Sequence, residues 1–229
     1  MTQPLHFSHV SIVRIYASFA FLVLPFYIND FSSIFIPDWR WWLVIDYVLV
    51  KLVPLAGAAW QIRTGQFSSQ ELGFKPQGIK PFIAWTLGLT LVCTIIDQNA
   101  YTFTGNLPGY ASLGGMPAIT SPLWDWIDLT LGLALVALCE ELVFRGYLHA
   151  LFRQLSLPPG AIIALSSAAF GLAHWCLGLH AVLITGFIGA IFMIAYMRTG
   201  SLYAIILAHF FVNFIDFSGV IPKSIFQLF

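Results

Sequence analysis

The sequence predicts an all-α, polytopic transmembrane bundle of about seven to eight spans enclosing a polar chamber. Three observations carry that prediction. Of 229 residues, 59% are hydrophobic and 9% charged, whereas a soluble domain carries about 25% charged residues. Such a chain cannot clothe a water-facing surface, which excludes a soluble enzyme, a disordered protein and a secreted disulfide scaffold. Several apolar runs approach the roughly 20 residues that cross a bilayer as a helix. These runs are continuous rather than alternating, which argues against a lipid-spanning β-barrel.

The first span is expected at about Ser8 to Tyr27 and the second at Trp41 to Trp60. The first reads as retained: no Lys or Arg precedes Arg14 and no small-residue cleavage site follows a short apolar core. A polar stretch, Gln61 to Lys80, leads to a third span at about Phe82 to Ile96. The connection Asp97 to Pro122 is rich in Gly, Pro, Asn, Ser and Thr, the residues of turns. The fourth helix, about Trp124 to Gln154, is too long for a perpendicular span and is expected to be tilted, kinked or emergent. Pro158 and Pro159 separate it from the fifth, about Ala161 to Leu177; the sixth lies near Ala181 to Met197 and the seventh near Leu202 to Phe217. No internal repeat stands out. The chain divides into N-terminal helices with the long outer loop, 1–122, and a core carrying the chemistry, 123–229.

Lys and Arg set the expected orientation. With the N-terminus inside, the inner loops hold Arg63, Lys75, Lys80, Arg153 and Arg198, and the outer side only Arg40 and Lys223. A cytoplasmic N-terminus follows. Tryptophans 39, 41, 42, 60, 124 and 126 fall near span ends, as an aromatic belt should. Ten basic and ten acidic residues balance, and no basic patch invites nucleic acid. The expected partners are membrane lipids and a membrane-associated peptide or protein. Cys93, Cys139 and Cys176 lie in apolar segments and read as small hydrophobes.

Ionisable side chains at membrane depth are costly and mark function. Glu140, Glu141 and Arg145 form the densest group. Glu141 and Arg145, four apart, share a helical face and can pair. Glu140 is rotated about 100° from Glu141 and needs its own partner. Two adjacent carboxylates in low dielectric cannot both ionise cheaply, so one is expected to be paired and the other free to act as a general base. His174 sits in an otherwise apolar run, three residues after Gly171, which allows close helix contact. His209 and Asn213, again four apart, share a face in the seventh helix. Glu140, His174 and His209 fall near the middle of their helices, at comparable depth. Together, Glu, His, His and Asn could hydrolyse an amide: Glu140 and His174 polarising a water, His209 and Asn213 donating to the developing oxyanion. Asp216 shares their face as a supporting candidate. His6, His9 and His149 read as interfacial, His180 as a loop residue, and Asp46 and Lys51 as pairing with other helices.

The ordered set Glu-Glu-x-x-x-Arg (140, 141, 145), Phe-x-x-x-His (170, 174) and His-x-x-x-Asn (209, 213) resembles the signature of the CPBP family, the type II CAAX prenyl endopeptidases and bacteriocin-processing enzymes also called Abi proteins. The resemblance covers about Trp124 to Phe217. It implies an intramembrane endopeptidase with Glu140, His174, His209 and Asn213 catalytic, Glu141 and Arg145 a supporting pair, and Phe170 beside them. No cofactor is expected. Zinc held by Glu140, His174 and His209 stays open as the alternative, although a neutral amide such as Asn213 serves an oxyanion better than a metal. The chain is short beside the eukaryotic members, and a multi-pass place in a prokaryotic inner membrane is expected. Prenylated proteins, bacteriocin precursors and sorting-signal proteins stay open as substrates. A proton-coupled transporter and a non-catalytic bacteriocin-immunity protein are the competing classes.

Overall fold

The computed structural model describes residues 12–107 and 111–228. His6, His9 and the expected helix start at Ser8 lie outside the described residues, and no strand occurs among those described.

Among the described residues, seven helical rods follow one another. Rod α1, Val13–Phe35, is interrupted at Val23 and restarts with Pro25 in its first turn, where a missing N–H costs nothing. It extends well past the expected end at Tyr27. Rod α2, Trp39–Arg63, starts from Asp38, whose carboxylate accepts the Arg40 backbone N–H at 2.8 Å. The loop 64–78 is held by a reciprocal cap: Ser68 N–H donates to Glu71 Oε2 at 2.8 Å, and Glu71 N–H to Ser68 Oγ at 3.2 Å. That cap presses Phe67 and Leu72 into the core. Rod α3, Ile79–Thr104, runs two turns beyond the expected Ile96.

Rod α4 covers 122–154 and is the axis of the bundle. It contains two wide, π-type turns, Asp128–Gly132 and Glu141–Tyr147, and every residue of the second is buried. Such turns insert one residue into a helix and recur at functional sites. Rods α5, Pro159–Leu172, α6, Leu179–Thr199, and α7, Tyr203–Ser218, wrap around it. Rods α6 and α7 each end on a glycine at positive φ, Gly200 (66°) and Gly219 (65°), which stops each helix cleanly. Four rods, α1, α2, α3 and α6, are long and apolar enough to cross a membrane; α5 and α7 are apolar but shorter.

Two apolar cores flank α4. One joins Leu22, Phe26 and Phe67 to Phe144, Tyr147 and Phe170; the other joins Leu89, Phe192, Met193 and Ile205 to Ile162. Where α5 meets α6, a Cβ on Gly171 would strike the Val182 carbonyl oxygen and the Gly186 backbone. Gly171→Ala should therefore push the two rods apart and lower thermal stability by roughly 1–3 kcal/mol. An unchanged melting temperature in detergent would show that the contact gives without cost.

The fourth helix is expected to be tilted, kinked or emergent, and the wide turns show where its path departs from a regular α-helix. They also explain a pair that the sequence assigned to other helices. Asp46 and Lys51 bond each other, and Asp46 also accepts from Asn29 of α1. Five residues lie about 140° apart on an α-helix, but the wide turn Tyr47–Leu52 brings them to one face.

Candidate functional site

Glu140 closes a regular stretch of α4 and Glu141 opens the wide turn, so adjacent carboxylates leave the helix in different directions. Both are buried, Glu140 7% and Glu141 0% exposed. Arg145 Nη1 donates to Glu141 Oε1 at 3.0 Å, the pairing expected from the spacing. The guanidinium carbon also lies 4.1 Å from the Phe170 ring centre and 5.4 Å from that of Phe192. Those ring faces meet a cation that is 0% exposed and whose Nε and Nη2 find no hydrogen-bond acceptor among the described residues.

His209, on α7, stands between the two carboxylates. Its Nδ1 lies 2.7 Å from Glu141 Oε1 and its Nε2 lies 3.4 Å from Glu140 Oε2. A fully buried carboxylate that already takes Arg145 is a natural acceptor for Nδ1–H, which fixes the ring and turns Nε2 toward Glu140. The partner that Glu140 requires is thus a histidine from another helix. Phe170 packs edge-on against His209 (ring centres 6.1 Å apart) and His174 (5.1 Å).

His174 does not lie in mid-helix. Rod α5 ends at Leu172, and His174 occupies the turn that follows, with φ −113° and ψ 28°. Gly171 and the Phe170 carbonyl explain its placement: His174 Nδ1 is 3.0 Å from that carbonyl oxygen. A carbonyl only accepts, so Nδ1 carries the proton and Nε2 offers a lone pair.

Glu140, His174, His209 and Asn213 all line one cavity of about 450 Å³. Asp216 lines it too, but its Oδ1 is held by Gln98 at 3.0 Å and Lys223 at 2.6 Å, away from the His209 pair. Several lining residues escaped the sequence reading. Asn29, Asp30, Asp46 and Lys51 come from α1 and α2, Asp97 from α3 and Asp128 from α4. Asp30 accepts the Cys176 backbone N–H at 2.9 Å, and Asn29 Nδ2 donates to Asp46 Oδ1 at 3.1 Å. The available signal was the cost of carboxylates inside apolar spans, which is as high for Asp30 and Asp46 as for Glu140. His180, expected in a loop, is the second residue of α6, bonded to Thr104 and facing the same cavity. His149, expected at an interface, is half-buried edge-on against Tyr196, with ring centres 5.0 Å apart.

Nδ1 of His209 faces the Glu141 carboxylate and Nδ1 of His174 faces a carbonyl, so each ring turns its Nε2 toward the cavity. Among the described residues, no three His, Cys, Asp or Glu side chains are grouped to hold one ion. What the arrangement offers instead is a buried carboxylate against an oriented imidazole, with a second imidazole and an amide on the same cavity wall. That is equipment for moving one proton and donating to a developing charge.

Residues 122–215, which include every residue of that buried group, match the family model described as "Type II CAAX prenyl endopeptidase Rce1-like". Searches of the curated proteins and of the solved structures each gave no match. Over the matched residues, 94 of the chain's 229, the sequence is similar to this endopeptidase family.

Proposed function

We propose that this integral membrane protein cleaves a peptide bond of a membrane-associated or lipidated substrate inside the 450 Å³ cavity, using all seven rods as spans with the N-terminus cytoplasmic. The observation that carries the reading is His209 held between Glu140 and Glu141. Glu140 takes the proton of a water as it attacks the scissile carbonyl, and His174 Nε2 holds that water by accepting its second hydrogen. Glu141 anchors His209 through Nδ1–H. The proton that Glu140 takes from the water is shared with His209 Nε2, 3.4 Å away, and that N–H, with the Asn213 amide, donates to the oxyanion. On collapse the leaving amine receives the proton taken by Glu140, so no net proton is consumed by the site. Glu141 and Arg145 stay paired throughout and set the geometry.

Cleavage of a panel of membrane-anchored peptides by purified protein tests the reading, since no cleavage of any of them by well-folded protein would overturn it. Within that assay, Asn213→Ala should lower turnover by about 10²–10³ with little change in KM. A change confined to KM would place Asn213 in substrate binding. The mechanism also runs without metal. Protein purified without added metal should be active and keep its activity after prolonged chelation, whereas loss reversed by zinc would replace the glutamate mechanism by a metal one.

A further inference from the structure

The two ends of the bundle carry opposite charge, and the cavity belongs to only one of them. At one end the loop after α2, the end of α4 and the start of α7 meet: Leu202 N–H donates to the Gly73 carbonyl at 2.9 Å, and His149 packs on Tyr196. Arg14, Arg63, Lys75, Lys80, Arg153 and Arg198, six of the chain's ten cations, gather there. At the other end Leu113 N–H donates to the Cys176 carbonyl at 2.7 Å and Gly115 N–H to the Ser33 carbonyl at 3.2 Å. That end holds two cations, Arg40 and Lys223.

The cavity reaches from Glu140 and Lys51 to Met116, Leu177 and Phe217, all on the cation-poor side. Six carboxylates line it: Asp30, Asp46, Asp97, Asp128, Glu140 and Asp216. Lys51 is bound to Asp46 and Lys223 to Asp216, while Asp30 and Asp97 receive neutral donors, the Cys176 N–H and the Gln98 amide. A second feature of the wall also lacks a donor. Asn29 is 9% exposed, lines the cavity, and its Oδ1 accepts no hydrogen bond among the described residues. A buried acceptor left open is destabilising unless something fills it.

Cations mark the cytoplasmic ends of spans. We infer that the chamber takes a positively charged peptide segment presented from the extracytoplasmic face. This rests on the peptidase reading and assigns its substrate class and side. A Lys or Arg side chain, or a free amino terminus, supplies the donors that the wall lacks and meets opposite charge along the whole approach. A neutral prenylated segment held at the cytoplasmic face would meet neither.

The test has three arms on the full-length protein. Ser69→Cys and Ser112→Cys, both at exposed positions at opposite ends, are treated in intact cells with a membrane-impermeant maleimide. Labelling at 112 and not at 69 is expected, and the reverse overturns the sidedness. In detergent, where both faces are open, anchored peptides with Lys, neutral or Glu residues flanking the scissile bond are compared. The Lys peptide should have the highest kcat/KM, by about tenfold over the neutral one, and equal rates for all three overturn the charge preference. Asp128→Asn should then narrow the ratio of kcat/KM between Lys and neutral peptides. A gap that does not narrow overturns the part given to that wall. No cleavage of any peptide in detergent counts against the peptidase reading itself, which the labelling arm does not touch.

Discussion

Replacing Glu140 by Gln should abolish peptide hydrolysis, by about 10²–10⁴-fold or more, in a protein that still elutes and melts like the parent. The substitution keeps shape and hydrogen-bonding capacity and removes only the ability to take a proton. Glu140 is buried, with His209 Nε2 at 3.4 Å, and a neutral amide accepts or donates there without leaving a charge behind. Stability therefore changes little while the reaction stops. Single-turnover cleavage retained by a well-folded Glu140→Gln protein would remove Glu140 from the role of base.

The neighbouring substitution has the opposite balance. Glu141→Gln leaves Arg145 fully buried with no ionic partner, because Glu141 Oε1 takes both Nη1 of Arg145 and Nδ1 of His209. Breaking a buried pair from one side costs about 3–5 kcal/mol, so the melting temperature in detergent should fall steeply and activity fall with it. The ring faces of Phe170 and Phe192 soften that loss without replacing a carboxylate. A second substitution separates charge from packing. Adding Arg145→Met to Glu141→Gln should recover part of the lost stability, since no buried cation remains, but should not restore hydrolysis, because His209 is then held by a neutral amide rather than a carboxylate. A Glu141→Gln protein that melts like the parent would show that Arg145 finds compensation elsewhere.

The rods themselves were readable because lipid imposes a simple rule: every backbone polar group must be satisfied within the segment, so apolar runs become helices. All seven described rods fall where apolar runs predict them, with ends displaced by tertiary contacts. Phe35 and Thr104 extend α1 and α3 past the expected stops, where the Ser33 carbonyl takes the Gly115 N–H and Thr104 bonds His180 of α6. The pairing of Glu141 with Arg145 was readable from spacing alone. Its bond to His209 was not, since two helices 68 residues apart in sequence meet there. The wide turns were invisible for a different reason. They preserve helical hydropathy and change only the residue count per turn, so Asp46 and Lys51 looked misaligned when they were facing. His174 was misplaced because the lone Gly171 in Phe-Gly-Leu-Ala-His reads as a helix contact rather than as an end. The break comes from its backbone N–H bonding to Gly171 and its ring to the Phe170 carbonyl. The acidic wall from α1 and α2 was readable in principle, but each of its carboxylates stands alone in sequence and only folding collects them.

The distance in sequence between Glu141 and His209 also bears on how the protein is made. At synthesis rates of about 5–20 residues per second, the 68 residues from one to the other take on the order of several seconds to emerge. During that interval α4 can pair Glu141 with its own Arg145, but Glu140 has no partner until α7 brings His209. Such a helix gains little by entering lipid alone. Its integration is therefore expected to wait on the last rod, which ties membrane entry of the middle of the chain to its final quarter.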